Sequence, residues 1–185
     1  NESKMRELVI ANPGIASSVQ DIGRAGVQHI GISPSGAMDP FALASGQHQL
    51  GHKNNEAAIE IAYGYFSAIS SHNCQLVITG APCELRIGSD ISPSDAIHTI
   101  SAGQQILISP GYKGVYSYLH ISGGMDTPVV FNSRSTSPRE GIGGHHGRLL
   151  KARDRITLGN PLNSSIRPNP NLTIAEPSEI LMLRF

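Results

Sequence analysis

Short apolar runs broken by turn residues dominate the chain. Glu7 to Ile10, Ala58 to Tyr63, Gln75 to Thr79, Glu84 to Ile87, Gln105 to Ser109, Val115 to Ile121 and Arg155 to Leu158 are rich in Val, Ile, Leu and Tyr. Turn residues bound them: Asn12-Pro13-Gly14, Gly80-Ala81-Pro82, Gly88-Ser89-Asp90, Pro110-Gly111 and Gly123-Gly124. Apolar and polar positions alternate in Ile59-Glu60-Ile61 and from Tyr116 to Ile121, which predicts half-buried strands. The runs recur at roughly 8–12 residues in the middle third, the spacing of a sandwich or barrel. One helix interrupts them. Asp39 suits its N-cap, Pro40 its first turn, and Gly51 its stop after Leu50. No alternation of strand and helix follows, which argues against a dinucleotide-binding fold.

From about Asn160 the pattern changes. Asn, Ser and Pro fill the stretch to Ser178, a linker composition over 161–178. Glu179 to Phe185 is then an apolar, strand-like run with no sheet of its own. It is expected to be the first strand of a further domain. Residues 6–160 form the main domain.

The composition narrows the function. The chain has 185 residues, 14 Lys plus Arg against 14 Asp plus Glu, and only 15% charged residues, where about 25% is usual. A neutral chain lacks the electrostatic footprint of a nucleic-acid binder. No apolar run reaches the ~18 residues of a membrane span. The segment before Met5 has no apolar signal region, so a cytoplasmic location is expected. Cys74 and Cys83 fit neither a disulfide framework nor a zinc spacing. A surface rich in Ser, Asn, Gln and Gly suits contact with another protein.

Four clusters carry chemistry. In Gln20-Asp21-Ile22-Gly23-Arg24 an acid and a base flank a glycine; they are either a reactive pair or a brace for the loop. Asp39 is either a helix cap or a site carboxylate. Ser133-Arg134-Ser135-Thr136 resembles an anion cradle, with a forked guanidinium and hydroxyl donors, or is simply a polar loop. Gly141-Ile142-Gly143-Gly144-His145-His146-Gly147-Arg148 offers close backbone approach, two imidazoles that exchange protons near neutral pH, and a cation. It lacks the Gly-Lys-Ser/Thr of a phosphate-binding loop. His48 and His52 stand four apart, but no third ligand accompanies them, so no metal is expected. Glu60 lies opposite Ile59 and Ile61, either in solvent or in a cleft.

In chain order these features resemble the biotin-dependent carboxyltransferase-like family, whose members are also called allophanate hydrolase subunit 2, urea-amidolyase-related protein or the C-type subunit of 5-oxoprolinase. The resemblance runs through Pro13-Gly14, Val19 to Arg24, Gly36 to Pro40, Ala58-Ile59-Glu60, Thr79-Gly80-Ala81, Ser122-Gly123-Gly124, Ser133 to Thr136, and Gly143 to Leu150 with Asp154. It implies a mainly β, cyclophilin-like closed β-barrel with one short α-helix, here the N-terminal half of a two-domain pattern. It also implies a subunit of an ATP-dependent 5-oxoprolinase, a hydrolase that opens 5-oxoproline to glutamate. That subunit works with a second cyclophilin-like subunit on a small amide substrate, and ATP is shared with or held by the partner. Two alternatives stay open. One is carboxyl transfer from carboxybiotin to urea or allophanate chemistry, which would bring in biotin. The other is a non-catalytic binding module that antagonises an inhibitor of a histidine kinase, with pairing of copies through the final strand.

Under the enzyme alternative, Asp21, His145 and His146 are the catalytic candidates. Arg24, Asp39, Arg134, Ser135, Thr136 and Arg148 bind substrate. The chain departs from the family pattern at Gln47, at Gly51-His52, and at Asn132 and Arg153, where glycines are usual. Asn tolerates a positive φ, but Arg adopts one at a cost.

Overall fold

A computed structural model describes residues 5–53 and 55–161. The expected linker, apart from Pro161, and the final strand over 179–185 lie outside the described residues. Among the described residues, eleven strands and one α-helix follow in chain order: β1 Glu7–Asn12, β2 Ala16–Gln20, α1 Pro40–Gln49, β3 Ala58–Ala62, β4 Phe66–Ser70, β5 Cys74–Gly80, β6 Cys83–Ile87, β7 Asp90–Ser92, β8 His98–Ile100, β9 Gln105–Pro110, β10 Tyr116–Ile121 and β11 Arg155–Thr157. All of their pairings are antiparallel. One sheet runs β11-β1-β4-β9-β6-β7 and the other β2-β3-β10-β5-β8.

The architecture is mainly β and cyclophilin-like, but the two ladders do not join into a closed ring among the described residues. The corner between β1 and β2 shows why. The register shifts between Ile10 and Asn12, and Pro13 then has no amide to donate. Gly14 turns at φ +70°, and the chain re-enters as β2 in the other sheet.

The inner faces make the core. Leu8, Ile10, Phe66, Ala68, Leu85, Ile106, Ile108 and Ile156 of the first sheet meet Val19, Ile59, Ile61, Leu76, Ile78, Ile100, Leu119 and Ile121 of the second. Each large aliphatic or aromatic side chain buried this way contributes about 1.5–3 kcal/mol.

The outer face of the second sheet is covered by α1. Asp39 caps it by accepting from the amides of Phe41 (3.1 Å) and Ala42 (2.9 Å), and Pro40 opens the first turn. Ala42 and Leu43 pack on Ala58 and Tyr118. Gly46 makes room here, because a Cβ at that position would strike the His120 ring.

Candidate functional site

The Asp21 carboxylate organises the loops at the Gln20 end of β2. Oδ1 accepts from the Gly23 amide (2.8 Å), Ser133 Oγ (2.6 Å) and Ser135 Oγ (2.5 Å), and Oδ2 accepts from the Arg134 amide (2.7 Å). Ser135 Oγ in turn accepts from the Asp21 amide at 2.9 Å. Asp21 is 2% exposed. A buried carboxylate with this many donors is an anchor for the loops around it.

Arg24 is also buried. Its Nε donates to the Val130 carbonyl (3.2 Å), its Nη2 donates to the Ser135 carbonyl, and Nη1 has no partner among the described residues. Burial pulls this guanidinium below its ordinary value, opposed by Asp21 and Glu140. The glycine-rich loop closes over it. A Cβ on Gly143 would strike the Ser135 carbonyl and the Arg24 guanidinium, one on Gly144 would strike the Thr136 hydroxyl, and one on Gly147 would strike Gly141. The Gly144 amide donates to the Arg134 carbonyl at 2.8 Å. The glycines therefore serve loop-on-loop packing. Thr136 Oγ1 is turned inward too, donating to the Val19 carbonyl at 2.9 Å.

Beyond this hub lies a pair of more accessible groups. The His145 Nε2 stands 3.4 Å from Asp154 Oδ1. Arg148 grips the same carboxylate in a fork at 2.8 and 2.9 Å. Hydrogen bonding from Arg148, above all, holds Asp154 down at about 2. Burial lowers His145, against the pull of Asp154 and with help from His146 and Arg148, so its imidazole is neutral at pH 7. The exposed His146 ring stacks edge-on against it, centroids 4.2 Å apart. Arg134 reaches out from the hub to Asp126 at 2.7 Å and stays part-exposed.

Asp39 sits apart from His145 and Arg148, at the start of α1. Its loop still reaches the hub, since the Ala37 amide donates to the Asp21 carbonyl at 2.9 Å. Both positive-φ substitutions occur as expected, Asn132 at φ +60° and Arg153 at φ +74°. Two groupings escape sequence reasoning. Glu60 is neither in solvent nor in an open cleft: under α1, its Oε2 accepts from the Tyr118 hydroxyl and the Met38 amide, both at 2.7 Å. Burial raises both Glu60 and Tyr118 above their ordinary values. Beside them His120 lies fully buried, its Nε2 3.1 Å from Thr79 Oγ1. Thr79 already donates to the Ala42 carbonyl at 2.7 Å, so Nε2 carries the proton. Burial lowers His120 to about 3. No three-residue group fit to hold a metal occurs among the described residues, and none of their helices is long and apolar enough to cross a membrane.

Fold and loops together define a cyclophilin-like β module that carries its polar chemistry at one end. The chain belongs to the carboxyltransferase-domain family: residues 30–182 match the model described as "Carboxyltransferase domain, subdomain A and B". It is 36% identical over 159 residues to the C-type subunit of 5-oxoprolinase from Escherichia coli, covering 86% of this chain and 51% of that protein. It is 33% identical over 165 residues to urea amidolyase of Lachancea kluyveri, covering 87% of this chain and 9% of that one. Among solved structures, urea amidolyase of K. lactis superposes with a TM-score of 0.82 at 28% identity, over 87% of this chain and 10% of that one. The chain spans about half the length of the 5-oxoprolinase subunits it matches.

Proposed function

We propose that this chain contributes to an ATP-dependent 5-oxoprolinase-type complex that opens 5-oxoproline to glutamate together with partner subunits. The observation that carries this is the His145–Asp154 pair at 3.4 Å, on the loop whose Gly144 amide donates to the Arg134 carbonyl. Arg134 is the part-exposed cation for a substrate carboxylate, which would take the place of Asp126 on the guanidinium. His145, oriented through Nε2 by Asp154, takes the proton of an attacking water at Nδ1. Asp21, Arg24, Ser135 and Thr136 position these groups, and Arg148 fixes Asp154. The glycine loop is closed by its own packing, and in this reading ATP is shared with or held by the partner subunit.

Reconstitution with the partner subunits and an assay of ATP-dependent glutamate release tests this. Arg134→Ala is expected to cost about 10²-fold, on the scale of one lost charge contact. An unchanged rate would remove Arg134 from the site, and an assembled complex without glutamate release would reject the 5-oxoproline reading. Carboxyl transfer from carboxybiotin to urea is the second candidate, supported by the family model and the urea amidolyase similarity. Allophanate formed from urea with a carboxybiotin donor would favour it.

A further inference from the structure

A second site lies at the other end of the same sheet, where Ala16 of β2, Ala62 of β3 and Tyr116 of β10 meet. It is separated from the Asp21 hub by the length of β2, roughly 15–20 Å. Here a cavity of about 370 Å³ opens between the turns at 63–64, 81–82 and 110–115. That is the lower end of the range for small-molecule pockets. Buried Ile61 and Ile108 line it, Ser117 contributes a hydroxyl, and Tyr63 and Tyr112 are 59% and 86% exposed.

The frame is rigid. A Cβ on Gly111 would strike the Pro82 carbonyl, and one on Gly114 would press on Ala81. Tyr63 is held at φ +40°, a left-handed conformation that costs a bulky residue on the order of 1–3 kcal/mol. Its amide is tied to the Val115 carbonyl at 3.2 Å. The backbone thus carries a local penalty while presenting an aromatic ring to solvent. Strain of this kind concentrates at ligand clamps.

The charge is one-sided. Lys113 is the sole charged residue of the lining, with its ammonium 5.6 Å from the Tyr112 ring centroid. The Tyr112, Lys113 and Gly114 amides donate to no group among the described residues. A lip with one ammonium, unengaged amides and no carboxylate favours an anion. Exposed rings favour a flat apolar body.

We infer that this cavity binds a small carboxylic acid with a flat apolar body, stacked against Tyr63 and Tyr112 and with its carboxylate at Lys113. The site is independent of the 5-oxoprolinase reading.

An amide NMR titration of the full chain with phenylpropionate, and with phenylpropionamide as the neutral match, tests it. Saturable shifts confined to 63–65, 80–83 and 110–117 are expected. The acid should bind about five-fold tighter than the amide, the scale of one exposed charge pair. Lys113→Met should erase that difference, and Tyr112→Ala should weaken both probes. Both positions are exposed, so the variants fold. Absence of saturation, shifts centred on the Asp21 hub, or equal binding of acid and amide to the unaltered chain would each overturn the inference.

Discussion

The two ends of the β2-β3-β10 ladder differ in what their polar groups do. At the Gln20 end, Asp21 accepts four hydrogen bonds and Arg24 donates to two carbonyls from burial. At the Ala16 end, the Lys113 ammonium and three successive amides face no partner of opposite charge among the described residues. One end is braced and the other is open. Groups already engaged contribute stability and place their neighbours, whereas unengaged groups at a rim are free for ligands.

The largest effect should come from the braced end. Asp21→Ala strands two hydroxyls and two amides and is expected to cost about 3–5 kcal/mol, read as a lower urea midpoint. A loss below about 1 kcal/mol would show that the loops hold without their anchor. Next comes the helix above the sheet. Gly46→Ala drives a methyl into the His120 ring, with an expected loss of about 1–3 kcal/mol. Adding His120→Ala should return part of it, and strict additivity of the two would disprove the contact.

Protonation gives smaller, graded effects. His120 is held at about 3, below its ordinary ~6.5, so the folded state favours the neutral ring. That stability is complete above about pH 6.5 and falls as the pH drops toward 3. Circular dichroism melts across this window should steepen their decline in the unaltered chain, but not in His120→Gln. Asp154 behaves with the same sign in a lower window. Its carboxylate contributes stability above about pH 4 that is lost toward pH 2. After screening at the part-exposed Arg148, Asp154→Asn should cost about 1 kcal/mol at pH 7. The smallest effect belongs to the open end: Lys113→Met should leave the melting temperature unchanged. A drop of several degrees would mean that Lys113 is structural after all.

Most of this fold was legible as pattern. Strands with dense Val, Ile and Leu, such as β5, or with clear alternation, such as β10, announce themselves, as does α1 through Asp39-Pro40 and Gly51. The strands that stayed hidden are Ala-Ser-Ser-Val-Gln in β2, Phe-Ser-Ala-Ile-Ser in β4, and the three-residue β7 and β8. Ser17 and Ser70 are buried by donating to carbonyls at Pro13 and His72, a solution that hydrophobic periodicity does not register. Asp21, Arg24, Ser135 and Thr136 stood out as residue types. Their inward orientation did not, because it depends on a loop more than a hundred residues away. Glu60 was visible as an alternation, but the packing of α1 and its entry loop over it was not. The cavity at Lys113 left no trace in the sequence, since its walls come from three separate turns and the strands beside them.

The pairing of β1 has a consequence for synthesis. Its two neighbours are β4 and β11, with Leu8 opposite Ile156, and Asp21 meets Ser135 across 114 residues. A nascent chain that has emerged only to β10 therefore holds β1 with one edge unpaired and Asp21 without its hydroxyls. Such long-range closures are slow, and an open edge invites pairing with other chains. The first sheet completes only after β11 clears the ribosome, which makes that interval the one in which a holding chaperone matters most.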